Sequence, residues 1–256
     1  MTVLVTGAHG SVGSALLKRL RWDVAATDVD TLDVTDEDAV SAWLVEHRPR
    51  VVYHLAGAKH APEGELDPAY VARVNIDGTV NVLAAAASVG AKVVTASTCK
   101  ACDPETAYGA SKLIAERATL NAEGVVVRFH NIPESSGNVF RLWEGLPPDA
   151  PLPVTDCWRY FTRLENAVEL LLQAASLPSG RYCVPPSGPE RMADVAARLY
   201  PGRAQTMIPR RRGDRAREPL MAASERSRPE GPWLRIMGEH DPRSDRHANH
   251  ANERAA

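Results

Sequence analysis

The sequence predicts an α/β protein, a doubly wound (Rossmann-like) parallel sheet with a small C-terminal substrate lobe. Three observations carry this. Short, near-continuous apolar runs recur through the first half of the chain. Helical stretches lie between them in strict alternation. The first run ends in Thr6-Gly7-Ala8-His9-Gly10-Ser11-Val12-Gly13, a glycine-spaced turn leading into a helix. Strands covered on both faces read as unbroken apolar runs, and strands joined through helices run parallel.

Val3-Leu4-Val5 is the first strand, and Val12, Leu16, Leu17 and Leu20 recur at helical spacing after it. Residues 24–28 form the second strand. Thr35 caps a helix over 36–47, with acids in its first turn and Pro49 closing it. Residues 51–56 are the third strand, ended by Gly57. Asp67-Pro68 is a cap followed by proline at the first helical position, for a helix reaching 89 and stopped by Gly90. A strand over 92–97, a helix over 105–121 closed by Gly124, and a strand over 125–129 follow. Beyond Asn131 prolines and glycines multiply, and helices are expected over 164–175 and 192–199. The expected division is a cofactor-binding domain over 1–130, an integrated substrate lobe over 131–222, and a disordered tail over 223–256. Arginines crowd residues 203–235, and the polar end carries His240, His247 and His250, a solvated tail rather than a metal site.

Of 256 residues, 44% are hydrophobic, and 30 Lys and Arg against 32 Asp and Glu leave a net charge of −2. That near balance argues against a general nucleic-acid binder. No apolar run approaches the roughly 18 residues of a membrane helix. The chain enters a strand at once, so no signal peptide is expected, and the expected location is the cytoplasm. Cys99, Cys102, Cys157 and Cys183 are too few for a disulfide scaffold.

Glycines after a first strand permit a tight turn and close approach of backbone N–H groups to a pyrophosphate, at a helix N-terminus. Gly7, His9, Gly10, Ser11, Val12 and Gly13 are therefore assigned to a dinucleotide, together with Leu55, Ala56 and Gly57 at the third strand end. Asp28 ends the second strand, where an acid accepts from a ribose 2′-hydroxyl and repels a 2′-phosphate. No Lys or Arg lies between Asp23 and His47, so the expected cofactor is NAD. Asp33 is placed near the adenine.

Tyr108 and Lys112, at i and i+4, share one helix face. An ammonium beside a phenol favours the phenolate, which can take a proton from a substrate hydroxyl while hydride leaves for the nicotinamide. Lys112 can also hold the nicotinamide ribose. Thr98, ending the preceding strand, can orient the same substrate oxygen.

The chain resembles the extended short-chain dehydrogenase/reductase family, and within it the C5-inverting UDP-sugar 4,6-dehydratases of polysaccharide biosynthesis. The narrower resemblance rests on His54-Leu-Ala-Gly-Ala-Lys-His60, Ser97-Thr-Cys-Lys-Ala101 with Pro104, Arg128-Phe-His-Asn131, Ser135-Ser-Gly137, Arg159-Tyr-Phe161, and Arg211-Arg-Gly-Asp-Arg215 with Glu218. It implies an internal redox cycle. Tyr108 deprotonates the C4 hydroxyl, Lys100 removes the C5 proton, an acid protonates the departing C6 hydroxyl, and hydride returns at C6. In the family that acid is an aspartate; here Cys99 stands in its place. A thiol is a weaker acid than a carboxyl. Three outcomes stay open: Cys99 protonates the leaving hydroxyl, the product becomes an exocyclic 5,6-alkene as in nucleoside-antibiotic pathways, or elimination is lost and a 4-epimerase or reductase remains. Cys99 and Cys102 also read CxxC, which the strand-end position explains better than zinc or a regulatory disulfide.

The resemblance implies a nucleotide sugar such as UDP-GlcNAc. Arg159 and Arg211 are matched to its diphosphate, Asn131, Ser136 and Asn138 to neutral hydrogen bonds, Glu218 to the ribose, and Lys59, His60 and Glu63 to the sugar pocket. It also implies a homodimer. Only four residues lie between Asp28 and Asp33, where relatives carry a helix and an edge strand, so the outermost strand is expected to be absent or rudimentary. A rival from another class is a non-catalytic NAD(H)-binding sensor.

Overall fold

A computed structural model describes residues 2–59, 61–211, 213–238 and 241. The N-terminal apolar run forms β1 (Thr2–Thr6), with Val3, Leu4 and Val5 fully buried. Next come α1 (Ser11–Leu17), β2 (Asp23–Thr27), α2 (Glu37–His47) and β3 (Val51–His54). Two short helices, α3 (Ala61–Leu66) and α4 (Pro68–Ala72), precede a π-helical turn at Arg73–Asp77 and α5 (Gly78–Val89). β4 (Lys92–Thr98) ends in a 3-10 turn at Cys99–Ala101, followed by α6 (Ala107–Asn121) and β5 (Val125–Phe129). The remainder holds α7 (Val139–Glu144), β6 (Leu152–Val154), β7 (Trp158–Arg159), α8 (Leu164–Ala174), β8 (Gly180–Cys183), β9 (Glu190–Arg191), α9 (Met192–Leu199), β10 (Gln205–Met207), β11 (Glu225–Glu230) and β12 (Trp233–Gly238).

Eight strands make one sheet in the order β11-β12-β8-β5-β4-β3-β1-β2. The six from β8 to β2 are parallel, and β12 and β11 add antiparallel at the far edge. One face packs on α1 and α8 through Leu16, Ala167, Leu170 and Leu171. The other packs on α2 and α5 through Val40, Leu44, Val82 and Ala86. A third cluster around Trp143, Leu152, Val154 and Val195 is the core of the small lobe. Among the described residues no helix is long and apolar enough to cross a membrane.

The sheet stops at β2, and residues 28–36 hold turns and no further strand. Leu32 and Val34 in this short connection are buried against Val40 and Leu44, closing the sheet edge without a strand.

Local expectations change at three places. Asp36, not Thr35, caps α2 by accepting from Ala39 N at 2.9 Å, because Thr35 is held by Asp33 Oδ1. The helix expected over 68–89 is interrupted by the π turn, which carries Asn75 inward. Residues 225–238, expected in a disordered tail, are β11 and β12 of the main sheet. Their charges hid them: Glu225 pairs with buried arginines, and Trp233 and Ile236 cover the sheet. The tail histidines lie outside the described residues.

Candidate active site

The glycine turn is a close-packed cradle. Gly7 has φ +67°, and a Cβ there would lie 2.6 Å from Ala56 N. A Cβ on Gly13 would lie 2.5 Å from Gly7 O, so neither position accepts a side chain without moving backbone. Asp28 Oδ2 accepts from His9 N at 3.0 Å, which places this acid at the mouth of the turn. Asp33 is engaged in its own turn with Thr35. α1 has only 7 residues, so the cradle is made mainly by glycine backbone rather than by a long helix dipole.

Backbone contact carries the site from this turn to the β4 end. Leu55 N donates to Thr6 O, and Ala56 N to Thr6 Oγ1 at 3.4 Å. Gly57 follows, and a Cβ there would lie 3.8 Å from Lys112 Nζ. Lys112 is buried, and its Nζ makes no hydrogen bond or ion pair among the described residues. Burial pulls its pKa down to about 8, with Glu116 opposing. A buried, unpartnered ammonium beside β3, together with a glycine cradle that excludes side chains, suits the ribose and pyrophosphate of a dinucleotide.

One helical turn before Lys112 lies Tyr108, a buried phenol with Thr98 and Lys100 nearby. The cation acting on this phenol is Lys100; burial nevertheless outweighs it and raises the tyrosine pKa. The sequence-based expectation that Lys112 lowers that pKa is thereby corrected: the i+4 ammonium points to Gly57 and Lys100 takes the position beside the phenol.

The 3-10 turn after β4 folds Cys99 inward and leaves Lys100 as its more accessible member. The Cys99 residue is 0% exposed, whereas the Lys100 side chain is 25% exposed. Cys99 Sγ donates to Glu218 Oε2 at 3.4 Å. Burial, then the neighbouring carboxylate, push the thiol up to about 12. Glu218 is the hub: Lys100 Nζ lies 2.7 Å from Oε1, Arg159 Nε 3.3 Å from Oε1, and Asn131 Nδ2 donates to Oε2 at 2.7 Å. Burial alone would raise this carboxyl, but Lys100 and Arg159 draw it down to about 2. For Lys100 the order is mirrored: burial would lower its pKa, and Glu218 reverses this and raises it.

The structure redistributes the residues matched to the nucleotide sugar. Glu218 sits among Lys100, Cys99 and Asn131 rather than alone at a ribose subsite. Arg159 is buried and donates to the carbonyls of Trp158 and Arg215, so it braces Glu218. Asn138 is the cap of α7: its Oδ1 accepts from Phe140 N and Arg141 N, and its Nδ2 donates to Ile132 O and Pro133 O. Ser136 bridges Ser11 and Lys59, with its N donating to Ser11 Oγ at 2.9 Å and Lys59 Nζ donating to its Oγ at 3.1 Å. Arg211 is exposed, with Asp214 3.6 Å away. His60 and the Glu63 side chain lie outside the described residues.

Two supports escaped sequence reasoning. Buried Asn75 accepts from Ala58 N at 2.8 Å and donates to Ser111 Oγ at 2.9 Å, tying the β3 end to α6. Its signal was available: Asn75 and Gly78 are poor residues for a helix interior. Buried Glu116 binds Ser97, Arg128 and Arg181 beneath the site. A single carboxylate within a helix carries no such signal.

A parallel sheet with a glycine turn at its first strand and a Tyr-x-x-x-Lys helix beside β4 defines an extended short-chain dehydrogenase/reductase. Within that class the chain belongs to the family described as polysaccharide biosynthesis protein, which matches residues 21–232. The probable polysaccharide biosynthesis protein EpsC of Bacillus subtilis is 30% identical over 240 residues, covering 77% of this chain and 40% of EpsC. An inverting UDP-N-acetylglucosamine 4,6-dehydratase of Campylobacter jejuni is 28% identical over 208 residues, covering 75% of this chain and 62% of that protein. The structure of Thermus thermophilus UDP-glucose 4-epimerase in complex with NAD superposes with TM-score 0.74 at 23% identity, over 85% of this chain and 89% of that one. The chain thus spans only about 40% of the length of EpsC.

Proposed function

We propose that the chain is an NAD-dependent dehydratase of a nucleotide-activated hexose, a UDP-sugar such as UDP-GlcNAc, that oxidises C4 and eliminates water across C5 and C6. The observation that carries it is the gathering of Thr98, Lys100 and Tyr108 at the β4 end, one helical turn from Lys112 and the glycine cradle. NAD, when bound, takes up a hydride and returns it within the same cycle. Tyr108, with Thr98 nearby, takes the proton of the C4 hydroxyl. Lys112 and the cradle hold the dinucleotide, and Asp28 faces its ribose. Arg211, Lys59 and Ser136 border the nucleotide-sugar side. The dehydratase relatives and the polysaccharide family support this reading. Incubating the protein with NAD and UDP-GlcNAc or UDP-glucose tests it by mass spectrometry. Loss of one water is expected, and unchanged substrate mass with altered stereochemistry would replace dehydration by epimerisation.

A 4-epimerase or reductase is the second reading, favoured by one observation: Cys99 is buried and points to Glu218, away from an exposed position. A homodimer through α4, α5 and α6 is the proposed assembly, supported by exposed Tyr70, Val80 and Ile114. Light scattering tests it.

A further inference from the structure

We infer that β2 is a docking edge for a second copy of this chain, the two β2 strands pairing antiparallel about a two-fold axis at Ala25. β2 is the last strand of the sheet and pairs only with β1 among the described residues, in the register Thr2↔Asp23 to Thr6↔Thr27. On the β1 side, Thr27 O accepts from Ala8 N at 3.0 Å. Successive residues of a strand turn their N–H and C=O groups to opposite sides, so those of Val24 and Ala26 point away from the sheet. The connection that follows does not cover them. Leu32 and Val34 pack beneath the sheet on Val40 and Leu44, and no residue of 29–36 donates to or accepts from β2 backbone. Ala26 is exposed, and exposed Trp22 and Val29 flank the strand.

The opposite edge of the same sheet is shielded. β11, Glu-Arg-Ser-Arg-Pro-Glu, carries four charged residues and Pro229, and charge and proline on an edge discourage further pairing. β2, Asp-Val-Ala-Ala-Thr, has one charged residue, no proline, and small side chains that let a second backbone approach.

Charge selects the occupant. Lys18 and Arg21 are exposed before β2 and Asp30 is exposed after it, and none of the three forms an ion pair among the described residues. Arg19 is already engaged by Glu169, and Asp28 by His9 N. Parallel pairing of two copies would set like ends together. Antiparallel pairing brings Arg21 of each copy toward the partner's Asp30, twice by symmetry, so the edge is complementary to itself. In the register that overlaps all five residues, Val24 and Ala26 exchange N–H···O=C bonds with the partner's Ala26 and Val24, and one sheet runs through both copies. This contact is separate from the helix face of α4, α5 and α6.

The test reads the mass of the full chain by sedimentation over a range of concentrations. Ile114→Asp first removes association through the helix face. That variant is expected to remain a dimer at high concentration, and a monomer throughout would overturn the inference. Adding Ala26→Pro removes one outward N–H and no bond to β1, a change that an edge strand tolerates. Monomers with an unchanged thermal midpoint are expected, and a persisting dimer would overturn the inference. Arg21→Glu and Asp30→Arg, each in the Ile114→Asp chain, are expected to weaken dimerisation roughly 10-fold, since two symmetric surface ion pairs are lost. The two together should restore it. A double variant as weak as either single one would overturn the antiparallel pairing, and this arm decides if Ala26→Pro does not fold. If Ile114→Asp does not fold, the same substitutions are made in the wild-type chain, where Ala26→Pro is expected to halve the mass and an unchanged mass overturns the proposal.

Discussion

Arg128 on β5 and Glu225 on β11, 97 residues apart in sequence, form a buried two-pronged ion pair: Nη1 donates to Oε2 at 2.7 Å and Nη2 to Oε1 at 3.0 Å. Arg128 also donates to Glu116 through Nε at 3.0 Å and Nη2 at 2.6 Å. Arg181 Nε adds a bond to Glu116 at 2.7 Å. The C-terminal hairpin is thereby joined to α6, the helix that carries Tyr108. Removing one partner of such a pair leaves an uncompensated buried charge, at a cost of about 3 kcal/mol or more. Glu225→Ala is expected to lower urea-unfolding stability by that order, and deleting residues 223–256 to prevent cooperative folding. A truncated chain that unfolds at the full-length midpoint would remove the hairpin from the fold's foundations.

Acid sensitivity should begin with histidines. Burial, followed by nearby Lys112, lowers His54 to about 3, and burial lowers His130 to about 4. Both are neutral when folded, whereas the unfolded chain takes up their protons below about pH 6.5. Stability therefore falls as pH drops from about 6.5 toward those folded values, by at most about 1.4 kcal/mol per unit for each histidine. Glu116 and Glu225, whose folded pKa values are depressed, add their loss only below the ordinary carboxyl range. Urea melts at neutral pH and near pH 5 measure this, and His130→Asn should flatten the slope.

Tyr108→Phe removes the proposed oxidation base without opening a cavity. Turnover is expected to fall roughly 10²–10⁴-fold, in the range for a lost general base. The thermal midpoint should remain near wild type, checked by a melt on the same preparation. Full activity in this variant would favour a non-catalytic NAD(H)-binding protein.

Gly13→Ala places a Cβ 2.5 Å from Gly7 O and 2.7 Å from Ala8 O. The backbone of the turn must shift, so dinucleotide binding should be lost and stability lowered by about 1–3 kcal/mol. NADH fluorescence titration and thermal melts read the two effects separately. Gly90→Ala is the contrasting case, since nothing lies within 4 Å of its added Cβ and only the φ of +71° is strained.

The first half of the chain was legible because each strand from β1 to β5 is an apolar run between helices, and that pattern is local. The missing edge strand was legible for a similar reason: too few residues separate Asp28 from Asp33 to build one. The hairpin over 225–238 was not, because β11 is Glu-Arg-Ser-Arg-Pro-Glu and reads as solvated chain. Its charges are half of an ion network whose other half, Glu116, Arg128 and Arg181, lies on elements far away in sequence.

Residue types and spacing alone determined the strand–helix alternation that implies a parallel sheet, the glycine turn, and the placing of a phenol and an amine on one helix, since all three are patterns of short sequence stretches. Which amine faces the phenol, and which carboxylate faces the amine, was decided only when β4, α6 and the segment bearing Glu218 came together. Orientation about a strand end and charge pairing between Lys100 and Glu218 depend on packing, which no local pattern records.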